Sequence, residues 1–400
     1  MSTVFEILNQ VLNILENLDL NEITCVFDQA LYAKAVEIVW KDTEKFQPIV
    51  LRMGVFHTLC NMLSIIGKRF KDAGLKDLAV ESGVIADGSI SGVLEGRKYN
   101  RAVRLHKLVY ELSKLRDVTI QSEKLHSNIT QNQLNDFLSQ ESSVRIFHLF
   151  NVYLDYLRNE NGALSTMWMS FIDMVEVVLG LIRASRDCNW LLHLAMIRAM
   201  LPWTFAYDKQ NYARYMSAYY TQMTRLETIL DHPESYDHLT NGGLSVQIGS
   251  SNPFGRIPVD QTIEETVNKD TQTAGGTKGF SLNACAVSRY YMTAEYRSVC
   301  LRNLRQMVQV QTSGIVHADL EPSRMLRDEK DVHTLVDILE NSWVNPFSCI
   351  DPFEIVCLST GSAAPESIRE DLLHAKAKGE DAFRSFRENR IETAVNPEVP

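Results

Sequence analysis

The sequence predicts a predominantly α-helical protein that carries a small βαβ unit and a short hairpin. Three observations predict it. Apolar residues recur at three- and four-residue spacing through most of the first 230 positions, the period changes to β-prone runs at 22–28 and 46–56, and a turn rich in Asn, Pro and Gly separates two short runs near residue 250. Each element follows from one of these.

Residues 4–18 put Val4, Ile7, Leu8, Val11, Leu15 and Leu18 on one face of a helix that must pack on something. "EITCVFD" (22–28) and the run inside "FQPIVLRMGVF" (46–56) are rich in β-branched and aromatic residues and read as strands. Between them "QALYAKAVEIVW" (29–40) reads as a helix with Leu31, Ala35, Ile38 and Val39 facing inward. Strand, helix and strand in so short a stretch make a βαβ unit, whose strands run parallel through a right-handed crossover.

After Gly54, Leu59, Met62, Leu63, Ile66 and Phe70 fall at helical spacing, and helices follow almost without interruption to about residue 230. No fixed solenoid period is present. "DHPESYDHLTNGG" ends the helical block, and "LSVQIG", "SSNPFG" and "RIPVD" predict a hairpin with its turn. Asp260 is expected to cap the helix "QTIEETVNKD" that it precedes. Further helices are expected over about 283–311, with a charged helical tail over about 365–390. The organisation read from these shifts is an α/β core with its N-terminal helix (1–72), a helical insertion (73–240), a hairpin with return helices (241–311) and a C-terminal segment (312–400).

Composition narrows the function classes. A chain of 400 residues, 45% hydrophobic and 22% charged, is long enough for a sizeable core. Its net charge of −10 excludes a surface that attracts polyanions everywhere, so contact with DNA would need a local basic stripe or a divalent metal. The seven cysteines are scattered, with neither a CxxC pair nor Cys/His ligand spacing, and fit buried thiols of a reducing compartment. Residues 2–20 carry acids and no lysine or arginine, unlike a secretory signal, and no uninterrupted apolar run reaches membrane-spanning length. The expectation is a cytoplasmic or nuclear chain with no membrane partner, in which Asn128-Ile-Thr is incidental.

Candidate site residues come from the strand ends. His57 follows the second strand and Asp28 ends the first, which places both at the carboxyl edge of the sheet, where open α/β sheets expose working groups. The bland alternatives are a satisfied core histidine and a simple helix cap. Asp260 and Glu264, four apart at a helix start, put two carboxylates on one face; a cap plus an exposed acid explains them as well, and Glu265 is a neighbouring alternative. "EGRKYNRAVRLHK" spaces Arg97, Arg101 and Arg104 as a cationic stripe with Lys98 beside it, able to hold phosphates, although a solvated helix face reads the same way. The tyrosine-rich helix with Tyr212, Tyr215, Met216, Tyr219, Tyr220 and Met223 reads as core, and "GGTKGF" lacks the features of a phosphate-binding loop. A Cys60/His57 nucleophile pair has only helical proximity in its favour.

Several stretches carry a resemblance: "FDQALYAKAVEIVW", "VLRMGVFHTLCNMLSIIGKRFKDAGLKDL", "GRKYNRAVRLHKLVYEL", "VDQTIEETVNKDTQTAGGTKGF" and "LSTGSAAPESIREDLLHAKAKGEDAFRSFRENR". They resemble a family of uncharacterised animal proteins derived from transposable elements, of which this chain would be the C-terminal portion. "VFDQALYAKAV" and "VLRMGVFHTLCNM" further resemble the second half of the ribonuclease-H-like core of hAT-type transposases. That resemblance implies a partial ribonuclease-H-like α/β core interrupted by a large helical insertion. It also implies a vestigial site of Asp28, His57 and Glu264, with Asp28 and Glu264 as ligands of Mg²⁺ or Mn²⁺, and DNA as partner. Active members would be metal-dependent polynucleotidyl transferases or nucleases. The departure is that the strand meander bearing the first aspartate has no room before residue 22, so it would come from the missing N-terminal part of the parent protein or from another chain. An isolated chain with two of three metal carboxylates is then incomplete as an enzyme. The competing expectation is a non-enzymatic helical protein-interaction module.

Overall fold

A computed structural model describes residues 2–126, 151–230, 232–243, 245–247, 256–264, 321–341, 343–347 and 352–392, with single residues at 284, 285, 288, 292 and 296. The hairpin turn 250–255, Glu265, the glycine-rich loop 275–280, most of the helices expected over 283–311 and Asn128 lie outside the described residues. In chain order the main elements are α1 (Ser2–Asn17), β1 (Ile23–Phe27), α2 (Gln29–Lys41), β2 (Ile49–Met53), α3 (Val55–Phe70), α4 (Leu75–Glu81), α5 (Asp87–Leu94) and α6 (Tyr99–His126). Then come α7 (Ala163–Asp187), α8 (Trp190–Ala206), α9 (Gln210–Met223), β3 (Ser245–Gln247), β4 (Arg256–Pro258), α10 (Val259–Ile263), α11 (Pro322–Asn341) and α12 (Glu366–Phe386). The protein is predominantly helical with two small sheets, as the spacing predicts.

Two compact units are distinguished, one formed by Met1–His57, Ile182–His193 and Arg225–Glu321 and the other by Thr58–Leu181, Leu194–Thr224 and Pro322–Pro400. In the first, β1 and β2 pair in parallel from Ile23 opposite Ile49 to Phe27 opposite Met53, with α2 as the crossover. All five residues of β2 are buried, consistent with its apolar run Ile49-Val50-Leu51, while all five of β1 are half-buried. β3 and β4 pair antiparallel, which is the predicted hairpin.

Two details differ from the expected faces. In α2 the buried stripe is Tyr32, Ala35, Val36 and Ile38, and Leu31 is 38% exposed. The large ring of Tyr32 occupies the inward position, and one residue earlier on a helix is a rotation of about 100°, which turns Leu31 outward. In α1 only Val4 and Leu8 are buried, whereas Ile7 and Ile14, with Leu18 just past its end, stand out as exposed apolar side chains. The stripe that packs is therefore narrower than the apolar stripe in the sequence.

The second unit holds the helical core. Leu59, Met62, Leu63, Ile66 and Phe70 of α3 are all sealed from solvent, as their period predicts. Gly67 lets α5 approach: a Cβ there would lie 1.9 Å from the Leu94 carbonyl oxygen. Phe70, Trp168 and Phe171 pack ring to ring. Tyr215, Met216, Tyr219 and Met223 of α9 are buried, which fits the core reading of the tyrosine-rich helix. α7 is long and apolar enough by composition to cross a membrane, yet most of its apolar window is buried within the protein. α11 is tied to α6 by Arg104, which pairs with Asp328 and Asp331.

Candidate functional site

The site forms where the two parallel strands end, in the first unit. Asp28 follows β1 and caps α2: its Oδ1 accepts from the Leu31 amide at 2.8 Å. An aspartate there satisfies one of the free donors of the first helical turn. β2 runs through Gly54 directly into α3, with Gly54 donating its amide to the Phe27 carbonyl at 2.7 Å and so joining the two strand ends.

α3 opens on Val55, Phe56 and His57, and the residue before it, a glycine, has no side chain with which to cap it. The cap comes instead from Asp260. Its Oδ1 accepts from the Phe56 amide and its Oδ2 from the His57 amide, both at 3.1 Å, and Oδ2 also meets His57 Nδ1 at 3.1 Å. Asp260 is therefore not the cap of its own helix. It lies within α10, with Pro258 at the capping position, and its buried carboxylate closes the free end of α3. Gly54 makes room for it, since a Cβ at that position would lie 2.3 Å from Asp260 Oδ2.

With Nδ1 held by Asp260, the imidazole presents Nε2 to Glu264 Oε1 at 3.6 Å. Asp260 in α10 and Glu264 at its carboxyl end thus both face the His57 ring, as their four-residue spacing predicts. The hydrogen bond to Asp260 raises the His57 pKa above its ordinary value; burial opposes this, and the negative charges of Asp260, Glu264 and Asp28 add to the rise. Asp28, His57 and Glu264 are in this way brought into one electrostatic neighbourhood. The arrangement can hold a proton on an imidazole clasped by carboxylates.

The basic residues form no single stripe. Arg97 and Lys98 lie in the turn before α6, because Gly96 adopts a left-handed conformation (φ 73°) that ends the preceding helical path. Arg97 pairs with Glu95 and Arg101 donates to Ser89 at 3.0 Å; both arginines are exposed. Arg104 is largely buried in its ion pairs with α11 and is not available to a phosphate. Of the cysteines, Cys25 is held at about 11 by burial, as an inert thiol should be, while Cys285 is exposed. Cys300 and Cys349 lie outside the described residues.

The expected cap of the helix after Asp260 is thus a cap of α3. The signal that could have corrected that expectation is the missing cap: a helix that opens Gly-Val-Phe-His needs an acceptor from elsewhere.

Fold and site together define a class: a helix-rich protein in which a small βαβ unit presents an Asp–His–Glu cluster at its strand ends. Residues 1–396 match a family described as a domain of unknown function (DUF8702), and the chain belongs to that family. No curated protein and no solved structure is significantly similar to it.

Proposed function

We propose that the chain is a transposase-derived protein with an incomplete, catalytically inactive polynucleotidyl-transferase-like fold that keeps a nucleic-acid contact. One observation carries this reading: Asp28 and His57, at the ends of adjacent parallel strands, are rejoined by Glu264 after a detour of two hundred residues through a helical block. That order of residues along the chain is what supports the reading.

The cluster does not fit a resident Mg²⁺ or Mn²⁺ by itself. Among the described residues no three His, Cys, Asp or Glu side chains gather closely enough to hold a metal ion. One Asp28 oxygen serves the α2 cap, and both Asp260 oxygens are engaged at the start of α3. Two-metal phosphoryl transfer needs carboxylates converging on paired ions about 3.5–4 Å apart, and the described residues do not provide that set. The roles left to them are positional: Asp260 fixes the imidazole and the start of α3, and His57 holds a proton between Asp260 and Glu264.

Two measurements test the reading. With Mn²⁺ or Mg²⁺ at millimolar concentration, the chain is expected to leave plasmid DNA intact; cleavage that disappears in Glu264→Gln would refute inactivity. Fluorescence anisotropy with labelled DNA at low salt is expected to show weak, salt-dependent binding that Arg97→Glu with Arg101→Glu reduces.

Absence of any DNA binding would transfer support to a second reading, a protein-interaction module. What favours that alternative is the exposed apolar pair Ile7 and Ile14 along α1, continued by Leu18 just past its end.

A further inference from the structure

Away from the strand-end cluster, the first unit buries a guanidinium without a carboxylate. Arg52, on β2, is 3% exposed. Its Nη1 donates to the Gly243 carbonyl, its charge lies 5.4 Å from the centre of the Trp190 ring, and its Nε has no acceptor among the described residues. Among the described residues no acid pairs with it. A buried cation in that position is strongly penalised unless an anion accompanies it, and one carbonyl with one aromatic face compensates only in part.

Trp190 is the first residue of α8, a helix of 17 residues. Asn189 caps it, accepting the Leu192 amide at 2.9 Å, while the amides of Trp190 and Leu191 have no acceptor within the helix. The amino end of such a helix adds about half a positive charge. A second guanidinium reaches the same turn: Arg256, on β4, donates to Cys188 Sγ at 2.7 Å. Cys188 also meets Ser245 Oγ at 3.3 Å, and Ser245 donates to the Ser185 carbonyl at 2.7 Å, which fixes the hairpin against the α7–α8 turn. Among the described residues Arg256 too has no carboxylate partner. Asp187, the nearest acid along the chain, is engaged by Arg183. The imidazole of His193, one turn into α8, is driven well below its ordinary pKa by burial and then by the charge of Arg52, so it adds no charge of its own.

We propose that the amino end of α8, together with Arg52 and Arg256, is a binding site for a small phosphate-type oxyanion. The geometry supplies what such a ligand takes: two guanidinium groups at one turn, helix amides without an acceptor inside the helix and, among the described residues, no competing carboxylate. The burial of Arg52 restricts the ligand to a free anion or a terminal phosphate, and excludes the continuous backbone of a duplex. The site is independent of the function proposed above.

The test is a thermal melt of the whole chain with inorganic phosphate, against sodium chloride at equal ionic strength. A site with Kd of about 1 mM would raise the folded-to-unfolded ratio about tenfold at 10 mM phosphate. Arg256→Gln, at a half-exposed position, is expected to remove most of that response while remaining folded. Arg52→Met is expected to remove all of it and to melt no lower than the unliganded parent, because an uncompensated charge has gone. A 5′-phosphorylated oligonucleotide and its unphosphorylated twin form the second arm. A response to phosphate supports a free anion as ligand, and a response only to the phosphorylated oligonucleotide supports a nucleic-acid end. Equal melts in phosphate and chloride with no difference between the oligonucleotides would overturn the site, as would a phosphate response untouched by Arg256→Gln.

Discussion

His106 makes a sharp test of how the helical unit is built. It lies in α6 with 1% of its surface exposed, its ring 5.7 Å from that of Phe171, and neither ring nitrogen has a hydrogen-bond partner among the described residues. Burial alone pushes its pKa down to about 4 from the ordinary 6.5. Between those values the unfolded chain binds a proton that the folded chain refuses, so stability falls as the pH drops through the window. At 1.36 kcal/mol per pKa unit, the loss through this residue between pH 7.5 and pH 5.0 is about 2 kcal/mol. Urea unfolding followed by tryptophan fluorescence, on the parent and on His106→Leu at both pH values, isolates it from His193, whose shift has the same sign. The variant is expected to match or exceed the parent at pH 7.5, since it replaces a buried unsatisfied ring with apolar surface, and to lose about 2 kcal/mol less on acidification. Identical pH dependence in the two proteins would refute the reasoning, because the ring would then have a proton partner.

The strand-end cluster yields three further predictions. Asp260→Asn should lower the His57 pKa, followed by ring-proton NMR, because it removes the largest cause of the rise; an unmoved titration would remove Asp260 from the site. His57 itself has a pH dependence opposite to that of His106: its raised pKa contributes stability that is complete below 6.5 and is lost as the pH rises through the folded value. His57→Gln should therefore flatten the alkaline side of the stability profile, and a profile of unchanged shape would argue against the clasp. Gly54→Ala should destabilise by about 1–3 kcal/mol in urea unfolding, since its Cβ would displace the Asp260 carboxylate that caps α3, and a neutral result would mean that the cap is not needed.

Much of the architecture was legible because it is written in local period. The β-branched run before Asp28, the helix after it and the apolar run before Gly54 specify a βαβ unit from residues that are close in sequence. The strand-end position of His57, the placing of Asp260 and Glu264 toward one side and the burial of Tyr215 and Tyr219 in α9 follow from the same kind of reading. Arg97 misled because helical spacing was extended across Gly96, a residue that can leave the helix. Leu31 misled because two apolar stripes were compatible with its helix, and the bulk of Tyr32 chose between them.

The chain by itself determined which segments coil and which extend, because hydrogen bonding and side-chain periodicity act over a few residues. Only the tertiary structure decided that Asp260 closes a helix two hundred residues away, that Glu264 returns to His57, that Arg104 is spent on α11 and that Arg52 is buried without an acid. Those outcomes depend on which polar group finds which partner once the core has closed, and a pairing between distant residues leaves no period in the sequence that precedes it.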